Sequence, residues 1–125
     1  VIKNKALGNP NGIAADDEGL WLVTFGSGAL LRLDKKGTEL VKVKFPKGGL
    51  DGVVKLDSVL LISSWQAQAV YSVPLADLHA ENPEPQFKAV VRDIKTPADI
   101  GFDMKRNRIL IPLFEDNAII FHAYK

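Results

Sequence analysis

Three polar side chains stand at matching positions of an internal repeat: Asn11, Asp51 and Asp99. Each of them is followed, 14 or 15 residues later, by an aromatic side chain: Phe25, Trp65 and Phe114. Amide and carboxylate oxygens are the ligands that hard divalent cations such as calcium and magnesium prefer. Asn and Asp are also ordinary turn formers, because their short side chains bond to their own backbone. A cation or polar-ligand site and three plain turns therefore both remain open.

The repeat extends over the whole chain in three units. Each unit has a turn motif, then a short apolar run that ends in the aromatic residue, and then an alanine four residues further on that opens a second apolar stretch. The period is 40 residues from Asn11 to Asp51 and 48 from Asp51 to Asp99. The turn motifs are Asn9-Pro10-Asn11-Gly12, Gly49-Leu50-Asp51-Gly52 and Thr96-Pro97-Ala98-Asp99.

The apolar spacing inside each unit indicates strands. Residues 41–45 alternate with period 2, and the runs at 20–23, 59–62 and 109–111 are short and rich in Val, Leu and Ile. Runs that are apolar on both faces are typical of a sheet packed between two others, as in a propeller blade. The sequence therefore predicts an all-β, single-domain chain 1–125, a β-propeller of three four-stranded antiparallel blades. The blades span about residues 9–48, 49–96 and 97–125, with residues 1–6 as the last strand of the third.

Three blades are too few for a closed ring, since propellers typically have four to eight. An open arc would expose apolar blade faces, which soluble monomers avoid. We therefore expect half of a six-bladed ring. Either a second copy of the chain completes it as a homodimer, with residues 1–6 of each copy closing the last blade of the other, or the chain is half of a longer protein.

In such a ring, equivalent residues of successive blades point at one axis. Asn11, Asp51 and Asp99 should therefore meet at one mouth of the channel, where two Asp would repel each other unless a cation or a shared proton intervened. The repeated aromatic residues are expected to pack between blades, and Trp65 is a weaker candidate for the border of a ligand pocket.

The repeat resembles the six-bladed propellers of the senescence-marker-protein/gluconolactonase type and, more loosely, the NHL-repeat proteins. The resemblance is carried by Asn9-Pro10-Asn11-Gly12-Ile13-Ala14, Gly19-Leu20-Trp21-Leu22-Val23 and Leu50-Asp51-Gly52-Val53. It implies that Asn11 and Asp51 match an Asn and an Asp that bind a divalent cation in the channel. The Glu that completes this ligand set in the family has no counterpart among Glu18, Glu39, Glu81, Glu84 and Glu115, which fall in turns or outer segments.

Two functions follow from these expectations. The first is a non-catalytic propeller that binds a small-molecule or protein ligand through its loop face. The second is a lactonase or esterase-type hydrolase, in which calcium or magnesium polarises a carbonyl group and activates water, with Asp51 or Asp99 as the base. The missing Glu and the absence of a distinct acid or base favour the first.

Composition excludes several other classes. Sixteen Lys and Arg against fifteen Asp and Glu leave a net charge of +1, and the basic residues are scattered, so nothing favours nucleic acid or an anionic membrane as a partner. The longest apolar runs have four residues, whereas a transmembrane helix needs about 20. The absence of cysteine excludes disulfides and a thiol nucleophile, and it leaves both the cytoplasm and a periplasmic or secreted location open.

Overall fold

Eleven β-strands and two short 3-10 helices make up the chain in a computed structural model that describes residues 1–125. The first sheet consists of β1 Pro10–Asp16, β2 Gly19–Thr24, β3 Ala29–Asp34 and β4 Glu39–Lys44. The second consists of β5 Leu50–Lys55, β6 Val59–Ser64, β7 Ala69–Pro74 and β8 Lys88–Val91. The third consists of β9 Gly101–Asp103, β10 Arg108–Leu113 and β11 Ala118–Ala123. The prediction of an all-β chain is confirmed.

Each repeat unit forms one antiparallel sheet whose strands lie side by side in chain order. The apolar runs 20–23, 59–62 and 109–111 form the second strands, each of which ends one residue before the repeated aromatic residue, and the repeated alanines Ala29, Ala69 and Ala118 open the third strands. None of the sheets closes on itself. On the outermost strand of the first sheet, Lys42 and Lys44 are exposed, where their charge discourages edge-to-edge pairing.

Two apolar layers join the three sheets. Trp21 and Val23 of β2 lie in the first layer together with Leu60 and Ile62 of β6. The intervening residue Leu61 points the other way, because successive side chains of a strand face opposite sides, and it lies in the second layer with Ile109 and Ile111 of β10. The second strand of the middle sheet is apolar on both faces because both faces are covered.

The first strands of the three sheets come into close contact at their beginnings. A Cβ atom added at Gly12 would overlap the carbonyl oxygen of Asp51, and one at Gly52 would overlap the backbone nitrogen of Ile100. Glycine follows Asn11 and Asp51 because only its missing side chain lets one strand approach the next this closely. The same approach brings the three candidate site residues together.

Residues 1–6 form no strand within the single chain. Lys5–Leu7 is a 3-10 helix, and the third sheet keeps three strands, with β11 at its edge. Leu7 packs against the first sheet instead, and the Ile2 side chain lies against Gly37 in the turn between β3 and β4. Pairing of residues 1–6 with β11 of another copy stays a prediction.

The helices are too short for a membrane-spanning role. Each is a single 3-10 turn, and no helix of this chain has the length and apolar character that crossing a bilayer requires.

Candidate functional site

Asn11, Asp51 and Asp99 lie where the first strands of the three sheets begin. Asn11 and Asp51 are the second residues of β1 and β5, and Asp99 stands two residues before β9. Asn11 Nδ2 donates a hydrogen bond to the carbonyl oxygen of Leu50 at 3.4 Å, which places its side chain beside the start of β5. Asp99 lies close enough to Asp51 for its charge to act on the Asp51 carboxyl group. The structure therefore brings the three residues to one end of the molecule.

A buried serine ties the segment before Asp99 to the strand that carries Asp51. Ser63 Oγ accepts a hydrogen bond from the Gly52 N–H at 2.8 Å and donates one to the Ala98 carbonyl oxygen at 2.7 Å. The Ser63 side chain is fully buried, so the bond from Gly52 forms out of contact with water, and the bond to Ala98 is partly shielded from it. The spacing of the two carboxylates thus depends on the core as well as on the turns.

The Asp51 carboxylate is half-buried and has one side-chain partner. Trp65 Nε1–H donates a hydrogen bond to Asp51 Oδ2 at 3.0 Å. Burial raises the pKa of Asp51 above its ordinary value, the Trp65 hydrogen bond opposes that rise, and the negative charge of Asp99 adds to it. Neither Asp51 nor Asp99 forms a salt bridge. The site therefore holds two like charges without a basic side chain to balance them.

The repeated aromatic residues form a row beside these carboxylates. The Phe25 and Trp65 rings meet edge to face with centroids 5.3 Å apart, and the Trp65 and Phe114 rings are tilted with centroids 5.6 Å apart. Each ring directly follows the second strand of a different sheet, so the row links the ends of the three sheets. Phe114 is 69% exposed and Phe25 38% exposed, which leaves ring surface facing solvent. Trp65 contacts Asp51 but lines neither of the two cavities in the structure.

The oxygen ligands of one chain do not complete a site for a divalent cation. The site offers two carboxylates and one amide, and the structure contains no group of three or more His, Cys, Asp or Glu side chains arranged to hold a metal ion. Calcium takes six to eight oxygen ligands. None of the Glu residues lies in β1, β5 or β9. A cation held by Asn11, Asp51 and Asp99 would need oxygen ligands beyond these three side chains, from backbone carbonyls, water or another chain.

Because folding raises the pKa of Asp51, the ionised Asp51 carboxylate should lower the stability of the fold, and this effect should depend on pH. A carboxyl group whose pKa is raised by folding favours the fold while it is protonated, below its ordinary pKa of about 4, and that contribution is lost as the pH rises through the raised pKa. Asp51→Asn stays neutral at every pH and can still accept the Trp65 hydrogen bond. We expect the variant to melt at a higher temperature than the parent at neutral pH, with no difference in acid.

Melting temperatures measured by circular dichroism across this pH range check the expectation. Asp57→Asn is the matched control, because Asp57 is exposed in the turn between β5 and β6 and loses the same charge. Equal melting temperatures for parent and Asp51→Asn at neutral pH would show that the Asp51 charge carries no cost.

A second polar cluster lies at the opposite end of the first sheet, and the sequence analysis missed it. Asp16 accepts two hydrogen bonds from the Arg32 guanidinium, at 2.8 and 2.9 Å, and one from Trp21 Nε1–H at 3.2 Å. The Arg32 guanidinium also lies 4.5 Å from the centre of the Trp21 ring. The hydrogen bond and charge of Arg32 hold the pKa of Asp16 well below its usual range, although burial opposes the shift.

This cluster forms one wall of a cavity of about 440 Å³ between the first and second sheets. Lys55 and His79 line the cavity, and so do Leu75 and Leu78 of the second 3-10 helix, Leu75–Leu78. Asp16 and Arg32 are fully engaged with each other, so the cluster supports the turn between β1 and β2. The sequence shows only that an Asp is followed by an Arg 16 residues later, and this spacing is not distinctive.

Comparison with protein-family models and with curated proteins finds no match for this chain. The family suggested by the repeat motifs therefore stays a proposal, and the geometry of the site carries the functional argument.

Proposed function

We propose that this chain is half of a six-bladed β-propeller and that it works as a binding module. The end at which its first strands begin would form the mouth of a polar central channel and take a positively charged ligand. The observation that carries the proposal is the pair Asp51 and Asp99, two neighbouring carboxylates without a salt bridge, one of them half-buried.

The arrangement of the sheets supports the half-propeller. Three sheets follow one another in chain order, each packs face to face on the next, and the first strands β1, β5 and β9 contact each other in series. Blades around an axis have this arrangement, with the first strand of each blade nearest the channel. A chain with three such sheets corresponds to half of a six-bladed ring.

The electrostatics of the site support the binding role. Two neighbouring carboxylates repel each other, and burial of one adds to the cost of keeping both ionised. Proteins tolerate costly groups of this kind mostly where function requires them. A bound cation would relieve the repulsion, and the exposed surfaces of the Phe25 and Phe114 rings offer an organic ammonium ion favourable contacts.

The two tryptophans provide an internally controlled test of the proposal. Trp65 donates its indole N–H to Asp51, and Trp21 donates its indole N–H to Asp16 at the opposite end of the first sheet. In a ¹H–¹⁵N spectrum, calcium, magnesium and tetramethylammonium chlorides are titrated separately up to tens of millimolar. We expect at least one cation to shift the Trp65 indole signal in a saturable way and to leave the Trp21 signal in place.

Asp51→Asn separates binding at this site from a general salt effect. The variant should lose the Trp65 response, whereas Asp57→Asn should retain it. A bound cation also stabilises the fold, by about 2.7 kcal/mol at a hundredfold excess over its dissociation constant, so the melting temperature should rise with the effective cation. A Trp65 signal that responds to none of the three cations would refute the proposed site.

Metal-dependent hydrolysis of a lactone or ester is the alternative function. It is supported by the match of Asn11 and Asp51 to the cation-binding residues of the gluconolactonase-like propellers. It requires a divalent cation with more ligands than one chain supplies, and the missing Glu weighs against it. Lactone hydrolysis that appears only with calcium or magnesium, and that Asp51→Asn removes, would favour this alternative.

A further inference from the structure

The outer face of the third sheet carries an exposed apolar surface. Leu110 and Pro112 of β10 stand opposite Phe121 and Ile119 of β11, so the four side chains share one face of the sheet. Ile119 is 64% exposed and Phe121 59% exposed. The neighbouring strand edge of β11 is also open, because the third sheet has no fourth strand. We call this face, with its four side chains, the outer face.

The repeat shows what normally covers the outer face. The residues directly after the repeated alanines are Leu30, Val70 and Ile119, one in each sheet. Leu30 and Val70 are fully buried in the layers formed with the next sheet, whereas Ile119 is mostly exposed. The outer face is therefore the repeat equivalent of two surfaces that each pack on a following sheet, and only the following sheet is missing.

The first sheet carries the complementary surface at the other end of the chain. Leu22, Leu31 and Leu33 form a small cluster on the side turned away from the second sheet. Ile13 pairs with Leu22 and shares this face, and it is 57% exposed. Its repeat equivalent, Val53, is only 7% exposed, because the first sheet covers it. We call the side with Ile13 and the three leucines the receiving face.

We infer that the outer face docks on the receiving face of a second copy of this chain. The inference rests on the proposed half-propeller. Each chain has one face of each kind, so the contact repeats the packing that already joins the first sheet to the second and the second to the third. A head-to-tail contact of this type forms a closed assembly when the rotation closes, and two copies with three of six sheets each satisfy that condition.

Docking would also complete the channel mouth. Around the channel mouth, Asn11 of the second copy would then come next after Asp99 of the first, just as Asp51 comes next after Asn11 within one chain. Three polar side chains per chain would become six around one axis. The pair would thereby supply the additional oxygen ligands that a single chain lacks.

The N-terminal segment has a place in this assembly. In the single chain Leu7 packs on the receiving face, where the second copy would dock. Residues 39–45, which precede β5, contain β4, the outermost strand of the preceding sheet. Residues 1–6 have the equivalent position in the repeat, because they precede β1. Once displaced by the second copy, residues 1–6 would lie beside its open β11 edge and could pair there as a fourth strand.

The mass of the chain in solution, measured by light scattering at high micromolar concentration, tests the inference. We expect twice 13.7 kDa for the parent chain and 13.7 kDa for Phe121→Glu and for Ile119→Glu. Both side chains are already mostly exposed in one copy, so the variants should keep the folded circular dichroism spectrum. Leu40→Glu is the matched control: Leu40 is 58% exposed, lines the cavity between the first and second sheets, and should leave the pair intact.

The outcomes separate this inference from the proposed function. A parent chain of 13.7 kDa at high micromolar concentration would overturn the inference, and so would a pair that both outer-face variants leave unchanged. If one outer-face variant fails to fold, the mass in solution of the other one and of Ile13→Glu, on the receiving face, tests the pairing instead. The Trp65 indole titration is carried out on the parent chain: a paired parent chain whose Trp65 signal responds to no cation would refute the proposed ligand site and leave the pairing intact, whereas a parent chain of 13.7 kDa overturns the pairing whatever the Trp65 signal does.

Discussion

Gly52→Ala is expected to lower the free energy of unfolding by about 3 kcal/mol, because it forces two neighbouring first strands apart. The added Cβ would overlap the backbone nitrogen of Ile100 and crowd the Asp99 Cα. Backbone atoms cannot turn aside as a flexible side chain can, so β5 itself would have to move. Its movement would strain the buried hydrogen bond that the Gly52 N–H donates to Ser63 Oγ. Urea unfolding followed by circular dichroism measures the loss.

Gly101→Ala is the matched control. Gly101 opens β9, and an added Cβ would lie 3.8 and 3.9 Å from two atoms of the Leu110 side chain, which is ordinary contact. Its free energy of unfolding should change little. Equal effects of the two substitutions would show that loss of glycine in a strand, and not the close approach of β5 to the start of β9, sets the cost.

The same substitution has a consequence at the site. Burial is the main cause of the raised pKa of Asp51, and repulsion by Asp99 adds to it; moving β5 away from the segment before β9 increases the distance between the two carboxylates and weakens that added repulsion. The pH at which the Trp65 indole signal responds to Asp51 ionisation should fall toward that of an ordinary carboxyl group. The effect ties the packing of the first strands to the chemistry of the site.

The repeat predicted the sheets well because it reflects a local and periodic constraint. Each sheet buries its apolar run between neighbours, so equivalent positions must be apolar in every unit, and the turn motifs mark where the first strands begin. The positions of Asn11, Asp51 and Asp99 at one end follow from the same periodicity. Strand order and the start of each third strand at an alanine could therefore be predicted from the sequence alone.

Features that depend on a single long-range contact could not be predicted in this way. Ser63 Oγ accepts a hydrogen bond from Gly52 and donates one to Ala98, which joins the second sheet to the segment before β9 at one position, and no other unit repeats this pair of bonds. The position of the N-terminal segment depends on which apolar surface is free to receive it: in one copy Leu7 packs on the receiving face, and the Ile2 side chain lies against Gly37. The Asp16 and Arg32 pair occurs in the first sheet alone, so the repeat carried no signal for it.

The ion pair of Asp16 and Arg32 is expected to contribute strongly to stability. The Arg32 side chain is only 9% exposed, and Asp16 supplies both of its carboxylate oxygens to it. Asp16→Asn removes the hydrogen-bonded carboxylate and leaves the buried guanidinium with the exposed Glu18 carboxylate, 3.7 Å away, as its only counter-ion. We expect a loss of about 3 kcal/mol in the free energy of unfolding, the lower end of the range for a broken buried pair, because Asp16 itself remains partly in water.

Asp103→Asn is the matched control for this prediction. Asp103 forms the same kind of contact with Arg106 and Arg108, but these partners are 60% and 33% exposed, so solvent can replace the lost bonds. Its effect on the melting temperature should be small. Comparable losses for Asp16→Asn and Asp103→Asn would show that burial of Arg32 is not what makes its pair strong.

The direction in which the Asp16 contribution to stability changes with pH follows from its lowered pKa. Because folding lowers the pKa of Asp16, its carboxylate stabilises the fold above the ordinary carboxyl pKa of about 4, and this contribution is lost as the pH falls below that value. The stability difference between the parent chain and Asp16→Asn should therefore be largest at neutral pH and shrink in acid. Asp51 has the opposite sign, since its charge costs stability at neutral pH. A difference between parent and Asp16→Asn that stays constant from neutral pH into acid would mean that the hydrogen-bond geometry of Asp16, and not its charge, supports Arg32.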